Sequence, residues 1–124
     1  VSRYGRLPGS KNSSGVYEPT HSLEHPKKHG GCMPLAEIHM LERPEGWRVV
    51  VAYSFTTGSW AGSSSPLMDC DPVFATYDLA LDVAINTLRK CAKRYLDDPK
   101  MVAEVRKIEA WCDTLRPVQP DLFS

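Results

Sequence analysis

A chain of 124 residues, 42% of them apolar, fits a single domain with its own modest core. Fifteen basic residues balance fifteen acidic ones, which removes any global electrostatic argument for nucleic acid or an anionic membrane as partner. No stretch approaches about eighteen consecutive apolar residues, so a membrane-spanning helix is excluded on length, and Val1 to Ser14 lacks the apolar run of a secretory signal. A soluble, cytoplasmic protein is the expectation.

Residues 1–34 carry Pro8, Pro19, Pro26 and Pro34 and no sustained apolar period, and they are read as an N-terminal arm without regular structure of its own. Val16, Tyr17 and Leu23 are the arm residues able to lie across the domain and bury its edges. Residues 35–116 are then the single folded domain, and residues 117–124 a C-terminal tail.

From Leu35 the pattern changes. Ala36, Ile38 and Met40 alternate with Glu37 and His39, and Trp47, Val49, Val51, Tyr53 and Phe55 alternate with Arg48, Val50, Ala52 and Ser54. This is the period of half-buried strands. Arg43-Pro44-Glu45-Gly46 lies between them and predicts a hairpin, since proline fixes one turn dihedral and glycine tolerates the conformation that closes the turn. A loop that pairs Glu42 with Trp47 sets Ala36, Ile38 and Met40 on one face with Val49, Val51 and Tyr53, whereas a loop one residue shorter would mix polar with apolar. The opposite face holds Leu41, Val50 and Ala52, too apolar for water, and so predicts a second covering element or a homodimer contact. Thr56 to Ser65, rich in small residues, reads as a loop, and Pro66 to Ala75 as a third strand confined to an edge by Pro66 and Pro72.

Thr76 to Tyr95 predicts an amphipathic helix, because Leu81, Ile85, Leu88, Ala92 and Tyr95 fall on one side of a 3.6-residue period. Thr76 supplies an N-cap oxygen, and Asp78 places negative charge in the first turn, where the helix dipole favours it. Asp98-Pro99 then begins a second helix whose stripe is Met101, Val102, Val105, Ile108, Cys112 and Leu115, and Pro117 stops it. The predicted fold is α+β: an antiparallel β-hairpin or three-stranded sheet packed against two C-terminal helices, with an irregular N-terminal arm.

Several residue groups have the chemistry of a site. Cysteines stand at 32, 70, 91 and 112 without disulfide-scaffold spacing, and reduced thiols are expected. His21, His25, His29 and Cys32 have side chains suited to zinc, which would order an arm with little core of its own; their spacing matches no common zinc module, and a solvated His-rich arm is the bland alternative. Arg89, Lys90, Lys93 and Arg94 form a basic strip late in the first helix. With Trp60 as a stacking ring they are candidates for single-stranded nucleic acid, although cations at a helix C-terminus are also favoured by the dipole alone. Cys70 lies between Asp69 and Asp71, with His39 a conceivable partner across the sheet, but flanking carboxylates oppose thiolate formation. No catalytic residue is nominated, and a non-enzymatic protein is the expectation.

The tail holds Gln119-Pro120-Asp121-Leu122-Phe123. This segment resembles the Gln-x-x-Leu-Phe peptide by which bacterial DNA polymerases, repair proteins and other replication partners dock on the sliding clamp. The chemistry suits that use: an amide for pocket backbone, then adjacent leucine and phenylalanine for an apolar cleft. The commonest family pattern has leucine at the second position, where this chain has Pro120; the acidic Asp121 fits the third. The resemblance covers the tail alone. It implies an accessory or adaptor protein of bacterial DNA metabolism or a mobile element, with Gln119, Leu122 and Phe123 as the partner-binding residues. The alternative is a small interaction module that self-associates through Leu41, Val50 and Ala52, with Leu122 and Phe123 folded back over the domain.

Overall fold

The structure is a computed structural model and describes residues 7–26, 28–29, 33–55, 61–64 and 66–115. Among the described residues six strands precede two helices: β1 (His21–Glu24), β2 (Lys28–His29), β3 (Met33–Pro34), β4 (Ala36–Arg43), β5 (Gly46–Phe55), β6 (Ala61–Ser64), α1 (Tyr77–Lys93) and α2 (Val102–Leu115). Strands β1, β4, β5 and β6 form a four-stranded antiparallel sheet in that order, and β2 pairs with β3 in a separate two-stranded ribbon. The α+β architecture and the central hairpin are as the sequence predicts. The sheet is wider.

The hairpin register matches the hydrophobic argument: Ala36 faces Tyr53, Ile38 faces Val51, Met40 faces Val49 and Glu42 faces Trp47. Pairing continues one step further, to Arg43 and Gly46, so the turn is tighter than the four-residue loop expected. Gly46 is what allows it. Its φ is +136°, and a Cβ there would stand 2.5 Å from the Phe74 carbonyl oxygen and 2.7 Å from Val73 Cγ1. Phe74 approaches so closely because it exchanges two backbone hydrogen bonds of 2.7 Å with Trp47.

The inner face of the sheet packs on both helices. Ile38, Met40, Tyr53 and Phe55 meet Leu81, Ala84, Ile85, Leu88 and Ala92 of α1 and Val105, Ile108 and Cys112 of α2 in one buried cluster. Thr76 caps α1 as predicted, its hydroxyl accepting from Leu79 N–H at 3.2 Å. The cap stabilises by about 1 kcal/mol, whereas each buried leucine or isoleucine contributes about 2 kcal/mol. Packing, not capping, places the helix. Asp98 opens a preliminary turn, accepting from Lys100 N–H through its side chain, and α2 proper begins at Val102. Burial pushes the Cys112 thiol up to about 11, as befits a cysteine acting as a small core hydrophobe.

Two strands differ from expectation. Ala61–Ser64, within the segment read as a loop, forms β6 on the edge of β5. Pro66 to Ala75 forms no continuous third strand and contributes single-pair bridges, Leu67 with Tyr17 and Phe74 with Trp47. The physical reason is the same for both. An edge strand with small side chains is held by the backbone groups of its neighbour and needs no apolar period, while Pro66 and Pro72 interrupt any ladder.

The arm, read as without regular structure, adds the β2–β3 ribbon and the strand β1, whose Leu23 packs against the core cluster. Upstream, Asn12 accepts from Ser14 and Val16 N–H through its side chain, and Lys11 bridges to Tyr17 across that turn. The turn delivers Tyr17 to the outer face of the sheet, where it is buried with Leu41, Val50 and Leu67. The element predicted to cover that face is therefore the chain's own arm.

Replacing Gly46 with alanine tests the register lock. The added Cβ clashes with backbone at a left-handed φ, so a loss of about 2–3 kcal/mol in urea unfolding is expected. An unchanged midpoint would mean that the Gly46–Phe74 approach does not constrain the fold.

Candidate functional site

The outer face divides into two halves. The apolar half, Leu41 and Val50, lies beneath Tyr17 and Leu67. Tyr17 is fixed there by its hydroxyl, which donates to Asp69 Oδ1 at 2.6 Å, and by Lys11 and Arg43, whose cationic groups sit 5.4 and 5.3 Å from the ring centroid. Lys11 Nζ also bonds Asp69 Oδ2 at 3.1 Å. The Tyr17 hydroxyl, then the Lys11 ammonium, hold the Asp69 carboxyl below its ordinary range. Asp71 Oδ2 accepts from Met68 N–H. The two acids flanking Cys70 are thus loop fasteners, and Cys70 itself is exposed.

The polar half holds a hydrogen-bonded row. Ser22 of β1 and His39 of β4 are directly opposite one another, and Glu37 lies two residues before His39 on the same face. Ser22 Oγ is 3.1 Å from His39 Nδ1, and His39 Nε2 contacts the Glu37 carboxylate. Glu37 is buried, His39 partly so, and Ser22 exposed. His39 thus has a hydroxyl as its cross-strand partner rather than Cys70. The sequence placed Glu37 and His39 on one face but concealed Ser22, because β1 lies in a segment without strand periodicity.

The remaining candidates are placed as follows. His21 stacks near Trp47 and Tyr77, with ring centroids 5.0 and 6.2 Å away, while His25 packs edge-on against Trp111 and contacts the Lys107 carbonyl of α2. Four residue steps along an extended strand separate them by about 13 Å, so they do not converge. The His29 side chain and Cys32 lie outside the described residues. Among the described residues no group of three or more His, Cys, Asp or Glu is placed to hold a metal.

Of the basic strip, Arg89 is engaged with Asp113 across the α1–α2 contact, and Lys90, Lys93 and Arg94 are exposed at the last turn of α1. Arg89 thus has a structural use. Trp60 lies outside the described residues, as do Gln119, Leu122 and Phe123. An open depression of about 420 Å³ at the hairpin turn is lined by Glu42, Arg43, Pro44, Gly46, Trp47 and Ala75, and it brings together no nucleophile and base.

No protein-family model, curated protein or solved structure matches the chain.

The Asp69 cluster gives a pH prediction. A carboxyl whose folded-state pKa is depressed contributes stability that is present above its unfolded value, near 4, and is lost as the pH falls through the folded value. Asp69→Asn should therefore lower the melting temperature at pH about 6, and the difference from the parent chain should shrink below pH about 4. A difference that does not change with pH would remove the carboxylate from the account.

Proposed function

We propose that this chain is an accessory protein of bacterial DNA metabolism that docks on the sliding clamp through Gln119, Leu122 and Phe123. The observation that carries this reading is the segment Gln119-Pro120-Asp121-Leu122-Phe123, which follows Pro117 beyond the last helix. The folded domain supports it indirectly. Among the described residues the inner sheet face is packed by α1 and α2, and the apolar half of the outer face by Tyr17 and Leu67. Adjacent leucine and phenylalanine in a short peptide are suited to a partner's apolar cleft.

The rival reading, self-association through Leu41, Val50 and Ala52, has less surface to work with. Leu41 and Val50 are buried within the chain, and a second copy would first have to displace Tyr17.

Titration of the full chain against a purified bacterial clamp tests the proposal. Saturable binding is expected, and Leu122→Ala/Phe123→Ala should weaken it by about 30-fold or more, as for paired anchor residues. Equal binding by parent and double variant, or none by the parent, overturns it.

A further inference from the structure

The row on the outer face has the three parts of an activated nucleophile: an exposed hydroxyl, an imidazole within hydrogen-bond reach, and a buried carboxylate that orients the imidazole. Its geometry follows from the strand pairing. His25 N–H donates to the Ala36 carbonyl at 2.9 Å, so that pair is of the hydrogen-bonded kind. By alternation Ser22 and His39 form a non-hydrogen-bonded pair, the kind in which opposite side chains stand closest. The same alternation turns the Ser22 backbone N–H away from β4, towards the open edge of the sheet.

Protonation is fixed by the acceptors. A carboxylate only accepts, so contact with Glu37 keeps the proton of the neutral ring on His39 Nε2. Nδ1 is left with its lone pair towards Ser22 Oγ. The neighbouring Thr20 and His21 show the contrast. Thr20 Oγ1 is 3.0 Å from His21 Nδ1, but it donates to the Met40 carbonyl and accepts from Glu42 N–H, so its hydroxyl is bound into the backbone.

We propose that Ser22 is a nucleophile towards small carboxylic esters, with His39 as its general base and Glu37 as the positioning residue. Ser22 Oγ bonds to the ester carbonyl carbon as its proton passes to His39 Nδ1, and the Ser22 N–H, not used in pairing with β4, is the donor proposed for the developing oxyanion. Collapse breaks the bond to the alkoxide, which leaves with the proton from His39. Water then attacks the acyl-serine, giving its proton to His39, and the carboxylic acid departs as Ser22 regains that proton. Half-buried Ala52, opposite Glu37 on β5, gives the face a small apolar flank on the side away from Ser22.

The full chain is treated with a fluorophosphonate probe, which loses fluoride as Ser22 Oγ bonds to phosphorus, and adducts are mapped by mass spectrometry. Ser22 should label at least tenfold faster than Ser10 or Ser13, a comparison internal to one sample. His39→Ala should slow labelling by about 100-fold, the usual contribution of a general base, with partial recovery on adding imidazole. Glu37→Gln should lower kcat for p-nitrophenyl acetate and leave KM unchanged, the split expected of a residue that sets the base rather than binds the ester. Ser22 labelling no faster than Ser10 overturns the proposal, as does labelling of a folded His39→Ala or His39→Gln chain at the parent rate. None of these readouts involves the tail.

Discussion

The structure depends first on the register of β4 against β5. Side chains alternate with a period of two, so a slip of one residue would turn Ile38 and Met40 to the outer face and bring Glu37 and His39 against α1. The cost would be large, since both acid and imidazole would enter an apolar layer without partners. The register is fixed twice. Hydrophobic agreement fixes it along the length of the strands, and at the turn the pairing of Arg43 with Gly46 leaves room for Phe74 to bond Trp47. The second lock also sets where α1 begins, because Thr76 follows Phe74 after a single residue and caps the helix.

With the register fixed, the two faces acquire different uses. The inner face is a continuous apolar layer under two helices. The outer face carries an apolar half covered by the arm's Tyr17 and a polar half in which Glu37 is buried, His39 half-buried and Ser22 exposed. Tyr17 is suited to the boundary between them: its ring fills the space over Leu41 and Val50, and its hydroxyl reaches Asp69 at the rim. An aliphatic plug would bury comparable area and would leave the arm without this polar anchor. Arg48, on the same face, donates to Glu45 but leaves its Nε buried without a partner among the described residues. Covering the apolar half thus leaves one polar group poorly satisfied.

What the sequence revealed tracks what side-chain periodicity can encode. The β4–β5 register and the stripes Leu81/Ile85/Leu88 and Val105/Ile108/Cys112 were legible because each is a repeating contact with a buried surface. β6 was not, because Ala61, Gly62, Ser63 and Ser64 carry no apolar alternation, although they pair with β5. β1 was hidden for a related reason: of its four residues only Leu23 turns an aliphatic side chain to the core, too short a run to show a period. The apolar outer face was legible as a problem in need of a cover, but that Tyr17 supplies it was not, since the sequence marks this arm residue only as able to bury an edge of the domain. The row of Ser22, His39 and Glu37 combines both cases. Its β4 members follow from alternation, and its β1 member follows only from a pairing that no local pattern announces.

The last turn of α2 lies in the helical layer on the inner face, whereas Ser22, His39 and Glu37 lie on the outer face. Tethering through the proposed clamp peptide would raise the local concentration of that outer face near whatever the clamp encircles, without any new contact between domain and clamp. The demand on the domain is then rigidity rather than complementarity to the clamp. A sheet packed on one face by two helices, and on the apolar half of the other by its own arm, meets that demand.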